Sequence, residues 1–270
     1  YILSWSSGAA AGPFIAAMVW SLTGAWQWGY GCSGLLAFSV AVGVLLLRHH
    51  AKDQDTSEQK QASEPSAMHA QHEKKYASLP DLAWLGWVGS GAGIFCFFLI
   101  NGLFPITGKY WALTKAEQGI VLALMMGVQA LTGLLLGLGR NWMYRRLLLA
   151  LFGVIGATGL VLYATGESLA VFCLAAVCFG LYSGSFFFYF VFHAIVHPHH
   201  SARYVSVNEA VVGTCAFIGP LLGGVLADNT GLSWPYLAAG GLVAAGVVLK
   251  LIIHTRYRLR VETIFMKSTR

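Results

Sequence analysis

Long apolar runs alternate with short polar breaks along the chain, and eight of the runs are long enough to cross a bilayer as helices. They cover about 2–23, 26–47, 82–106, 118–138, 147–166, 168–196, 204–227 and 234–253. About 20 apolar residues at a rise of about 1.5 Å match a hydrocarbon core of about 30 Å. A soluble helix keeps a polar face, and runs such as 147–166 have none. The strict apolar/polar alternation of a membrane β-barrel is absent from these runs. The pattern predicts an all-α membrane protein, a polytopic bundle of eight transmembrane helices. One polar break is long. Residues 48–80 mix Lys, Asp, Glu, Gln, Ser and His with few apolar side chains, too few to offset the entropy of ordering. They read as a flexible linker with two helices before it and six after it.

Composition agrees, with 57% hydrophobic and 10% charged residues against about 25% charged in soluble domains. The net charge of +6 does not point to nucleic acid, because the basic residues sort by side of the membrane. Regions 48–80, 139–146, 197–203 and the end from Lys250 onward hold 15 of the 17 Lys and Arg, leaving only Lys109 and Lys115 on the opposite side. This positive-inside asymmetry places those four regions, and both ends of the chain, in the cytoplasm. The expected location is a plasma or inner membrane. The five cysteines, Cys32, Cys96, Cys173, Cys178 and Cys215, all fall inside predicted spans, where packing is their expected role. Tyr1 is not an initiator methionine and the first span begins at once, so the chain is expected to be cut at its front.

A repeat organises the rest. Gly12-Pro13, then Thr23-Gly24, return as Gly219-Pro220 and Thr230-Gly231 at a constant offset of 207 residues. Each copy sits in an apolar run beside further small residues: Gly8 in the first, Gly223 and Gly224 in the second. Small residues let helix backbones approach and proline bends a helix, so both copies predict bent, closely packed helices. Internal repeats of this kind are a mark of two-halved transporters.

On these residues the chain resembles the major facilitator superfamily. Gly8-x-x-x-Gly12-Pro13 is similar to the antiporter motif of that family's fifth helix, and the run Gly219-Pro220-Leu-Leu-Gly223-Gly224-Val-Leu-Ala-Asp228 to its counterpart near the end. Ala16 and Ala17 stand where the fuller motif has glycines. The loop carrying Arg140, Arg145 and Arg146 resembles the family's cytoplasmic gating loop but lacks its Asp. The resemblance implies a twelve-helix, two-halved fold that is monomeric when complete. Residues 1–47 would be the last two helices of the N-terminal half, 48–80 the central cytoplasmic linker, 81–255 the six-helix C-terminal half and 256–270 a basic cytoplasmic tail. In the family such Gly-Pro helices seal the contact between halves and bend during alternating access.

Candidate chemistry is sparse. Tyr182, Ser185, Tyr189 and His193 follow at spacings of three, four and four, on one helix face. A polar stripe on a membrane helix faces protein or water rather than lipid, so these residues, with Asn101 and Gln129 on other helices, are candidates for a substrate pathway. Interhelix hydrogen bonding is the competing role. Glu209 is the one acidic residue well past the start of a predicted span, which makes it the candidate for proton coupling. Its alternative is a structural charge near the helix N-terminus or beside Arg203. His193 and His197 have i, i+4 spacing, but Pro198 follows and no third ligand is near, so no metal is expected. No cofactor is expected, and none of the protease, esterase or phosphate-loop motifs is present in the chain, which argues against an enzyme. The expected function is secondary active transport of a small organic solute through the lipid bilayer, as proton-coupled export, without a nucleic-acid partner. An uptake symporter or uniporter, or a non-transporting membrane scaffold or sensor, are the alternatives.

Overall fold

The computed structural model describes scattered positions between 15 and 43 and the continuous stretches 83–138, 146–195 and 201–266. From Ala83 onward the described residues form six successive helices: α1 (Ala83–Tyr110), α2 (Lys115–Leu138), α3 (Arg146–Thr165), α4 (Leu169–Ile195), α5 (Ser201–Thr230) and α6 (Ser233–Met266). Four contain stretches long and apolar enough to cross a membrane: Ser90–Tyr110, Lys115–Leu138, Leu169–Tyr189 and Arg203–Thr230. Shorter apolar helical stretches, Ala150–Thr165 and Ser233–Leu249, lie in α3 and α6. The described residues thus hold four full-length spans, against eight expected along the whole chain. Most of the two earliest expected helices and all of 48–80 lie outside the described residues.

The last helix differs from its expected end. The apolar run stops near 253, yet α6 continues to Met266. Its 34 residues span about 51 Å, well beyond a core of about 30 Å. Backbone hydrogen bonding continues through the basic segment because no glycine or proline interrupts it. Polarity marks where a helix leaves hydrocarbon, not where it stops.

Helix α4 is the hub, packing on α1, α2, α3 and α5. Helix α1 lies chiefly against α5, with α4 and α6 beside it, and α3 bridges α4 and α6. The core between them is aromatic. Phe104 meets Tyr163 and Phe172 edge-on, Tyr163 stacks on Tyr236, and Tyr182 meets Phe186. The distribution of polarity is inverted relative to a soluble bundle. Ser90, Thr107, Gln118, Gln129, Thr132, Ser183, Ser185 and Asn208 are buried, whereas Leu131, Leu151, Phe217 and Leu221 are exposed. Lipid accepts the apolar exterior, and the buried polar groups find hydrogen bonds inside. Of the four spans, α5 is the least covered by the other described helices.

Candidate functional site

The second Gly-Pro copy brings α5 close against the backbone of α1. A Cβ built on Gly219 would lie 3.0 Å from the Phe95 carbonyl oxygen and 3.2 Å from the Leu99 nitrogen. One built on Gly102 would lie 2.7 Å from the Pro220 Cβ, and one on Gly223 would lie 3.1 Å from Leu99 Cγ. Neither Gly102 nor Gly219 has room for a side chain without the helices moving apart. Gly224 differs, since a Cβ there meets nothing within 4 Å. Pro105 in α1 and Pro220 in α5 both lie inside their helices. A proline lacks the N–H that would bond the carbonyl four residues back, so the carbonyls of Asn101 and Ala216 lose that helix partner. Both helices of the pair therefore carry a proline break, of which the sequence reading identified only the one at Pro220.

The first copy of the repeat, Gly8, Gly12 and Pro13, lies outside the described residues, but its trailing turn does not. Gly24 and Gly231 both have left-handed φ, +69° and +95°. Each donates its N–H to the carbonyl four residues back, Trp20 and Ala227, at 2.9 Å in both cases. The preceding Thr23 and Thr230 hydroxyls each donate to a carbonyl four residues back at 2.7 Å. Two of the four sequence equivalences thus share backbone conformation and side-chain hydrogen bonding.

The α4 stripe is interior. Tyr182, Ser185 and Tyr189 are all buried. The Tyr182 ring covers Gly156 of α3, and Ser185 Oγ donates to the Tyr182 carbonyl at 2.7 Å. Ser183 reaches Gln129 Oε1 of α2 at 2.9 Å, a fully buried pair that ties the two helices. Asn101 is half-buried and bonds back to the Phe97 carbonyl at 2.8 Å. The α4 backbone includes His193, whose side chain is outside the description, as are Arg140 and Arg145; Arg146 opens α3. The Ser183 and Ser185 hydroxyls and the Asn101 amide are thus held by their own or a neighbouring helix, and the stripe lies in a hydrogen-bonded interior.

Glu209 is exposed on α5. The helix begins at Ser201, so Glu209 lies about 12 Å along it. Its neighbour Asn208 points the other way. Asn208 is buried and accepts a 2.7 Å hydrogen bond from the Trp87 indole N–H of α1, while Tyr204 meets the Trp87 ring edge-on. One residue advances a helix by about 100°, so the inward turn of Asn208 carries Glu209 away from α1. Neither Asn208 nor Trp87 stands out as a site candidate in the sequence. An Asn one turn beyond a Tyr on an apolar helix was the available signal.

A cavity of about 560 Å³ opens at the other end of the bundle, where α1, α3 and α5 finish. Thr107, Tyr110, Trp111, Tyr163, Asp228 and Ser233 contribute to its wall, and none of the α4 stripe does. Among the described residues no group of three or more His, Cys, Asp or Glu is placed to hold a metal ion.

Comparison with curated proteins and with solved structures yields no match. The family model described as Major Facilitator Superfamily matches residues 86–265, nearly the whole six-helix unit. Helical architecture, inverted polarity and the tight Gly-Pro contact agree with that match, and the chain belongs to the Major Facilitator Superfamily.

Proposed function

We propose that this membrane transporter is a secondary active carrier that moves a small organic solute by alternating access, with proton-coupled export as its working mode. The observation that carries the reading is the repeated Gly-Pro element. Gly219 brings α5 against the α1 backbone, and the turn that ends each copy has the same conformation at Gly24 and Gly231. A Gly-Pro element repeated in the sequence, whose second copy packs closely on α1, supports two halves that rock against each other about a midplane site. In this reading residues 1–47 belong to the first half, 48–80 link the halves in the cytoplasm, and 81–255 form the second. The protein works as a monomer in a plasma or inner membrane. Glu209 is the proton-coupling carboxylate, and Asn101, Gln129, Tyr182, Ser185, Tyr189 and His193 form the polar interior past which the solute moves.

Proteoliposomes containing the protein, loaded with candidate solutes and subjected to a pH gradient, test the proposal. Gradient-driven solute flux with counter-movement of protons is the expected result. Flux that follows only the solute's own gradient identifies a uniporter, and co-directional protons identify a symporter. Folded protein with no flux under any gradient favours the scaffold.

A further inference from the structure

The cavity at the Tyr110 end has a one-sided chemistry. Its only charged wall residue is Asp228; no Lys, Arg or His lines it among the described residues. Asp228 is exposed, and no hydrogen bond or ion pair joins it to a described residue. Two hydroxyls of the wall are hydrogen-bonded within the fold. Thr107 Oγ1 lies 3.3 Å from the Leu103 carbonyl and shares a 2.9 Å hydrogen bond with the Tyr236 hydroxyl, in which either oxygen can donate. Ser233 Oγ donates to the Ala164 carbonyl at 2.6 Å. Both of these wall hydroxyl oxygens, on Thr107 and Ser233, keep lone pairs that can accept.

Two aromatic rings complete the wall. Tyr110 and Trp111 both line the cavity and pack edge-to-face, 5.3 Å apart at 89°. Their position is fixed by the way α1 ends. The Leu113 N–H bonds back to the Gly108 carbonyl and the Ala112 N–H to Lys109, with Ala112 held at φ 57°. This closes the helix in a Schellman turn. A non-glycine residue in that conformation is uncommon and costs energy, so the turn is over-determined by its surroundings. The basic residues of the same end do not compete for the cavity. Lys115 lies over the Trp20 ring at 5.1 Å, and Lys109 is not part of the wall.

From a carboxylate, two aromatic side chains and hydroxyl oxygens able to accept, all in one wall, we propose that this cavity binds an alkylammonium cation. The ring quadrupoles attract a cation without hydrogen-bond donors, and the carboxylate neutralises its charge. A volume of about 560 Å³ is ample for a trimethylammonium head and a short chain. The same chemistry is offered by a free organic cation and by a choline or ethanolamine lipid headgroup. The site is independent of the direction of transport and of Glu209.

Calorimetric titration of the full chain in dodecyl maltoside micelles with choline tests the proposal. Its neutral isostere 3,3-dimethylbutan-1-ol is the control. Choline is expected to bind at least about tenfold more tightly than the alcohol, and D228N and W111L are each expected to weaken it by about fivefold or more. D228E should retain most of the binding. W20L should leave it unchanged. Thermal unfolding confirms that the variants fold, and either variant alone suffices for the comparison. Repeating the titration in nanodiscs distinguishes the sources. Choline binding lost in phosphatidylcholine but kept in phosphatidylglycerol discs assigns the site to a headgroup, and equal binding in both assigns it to a free solute. No choline binding in micelles, equal binding of the alcohol, or binding indifferent to both D228N and W111L overturns the proposal.

Discussion

Gly24 and Gly231 stand 207 residues apart and end their helices in the same way, each with left-handed φ and its N–H on the carbonyl four residues back. A Cβ at either position would meet nothing within 4 Å, so the only penalty for alanine is the backbone conformation. That penalty is about 1–2 kcal/mol. Gly231→Ala and Gly24→Ala should each lower thermal stability by about that amount. The measurement is the unfolding midpoint of the purified protein. An unchanged midpoint would show that the turn relaxes and that the equivalence of the two copies carries no energetic weight.

Ala112 offers the reverse experiment. It occupies the left-handed position of the turn that ends α1, where glycine incurs no Cβ penalty. Ala112→Gly should raise stability by about 0.5–1 kcal/mol, after allowing for the greater entropy of glycine in the unfolded chain. If the turn instead sets Tyr110 and Trp111 through its rigidity, the same variant should loosen their ordering, read as a change in tryptophan fluorescence anisotropy.

The Gly-Pro contact predicts a contrast along a single helix. Gly219 lies against the α1 backbone and Gly224 faces open space. Overpacking a tight contact costs about 1–3 kcal/mol. Gly219→Leu should therefore lower both stability and solute flux, and Gly102→Val on the facing helix should do the same by crowding Pro220. Gly224→Ala should leave stability within about 0.5 kcal/mol. If flux in proteoliposomes survives Gly219→Leu at full rate, close approach of α1 and α5 is not needed for transport.

Helices α1 to α6 were legible in the sequence because lipid demands continuous apolar runs, and their starts fall within a few residues of those runs. The end of α6 was not, since hydropathy reports immersion and α6 stays helical beyond it to Met266. The turn at Gly24 and Gly231 was legible as a repeat of letters. Its conformation follows from glycine's freedom, but its shared hydrogen bonds required coordinates. The cavity left almost no trace. Tyr110, Trp111 and Asp228 lie more than 100 residues apart at their extremes, and only the convergence of helix ends brings them into one wall. The partner of Asn208 was hidden for the same reason, because nothing local to α5 names Trp87.

Orientation is testable independently of transport. The proposed topology, read from the basic residues, puts the loop after Lys109 on the side opposite to residues 48–80. A cysteine introduced at Ala112 in a cysteine-free background should react with a membrane-impermeant maleimide added to intact cells. One introduced at Ser63 should react only after permeabilisation. The opposite accessibility would invert the topology and move the Tyr110 cavity to the cytoplasmic face.

Glu209 separates coupling from structure. It is exposed on α5 while Asn208 beside it is bonded to Trp87, so the two neighbours divide the helix into a face held by α1 and a face turned away from it. A carboxylate on an apolar helix is costly unless it meets water, a partner or a proton path. If Glu209 exchanges protons during transport, Glu209→Gln should abolish gradient-driven accumulation while leaving solute exchange and binding largely intact, because glutamine keeps the shape and loses the titration. If Glu209 is a structural charge, the same variant should mainly lower the thermal midpoint, by about 1 kcal/mol or less for a solvent-exposed pair. Asn208→Leu serves as the comparison. It strips the Trp87 indole N–H of its acceptor, at a cost of about 1–3 kcal/mol in stability, with no direct effect on proton stoichiometry. A Glu209→Gln protein that stays fully stable and still accumulates solute against its gradient would remove both roles from Glu209 and send the search for the coupling group elsewhere in the chain.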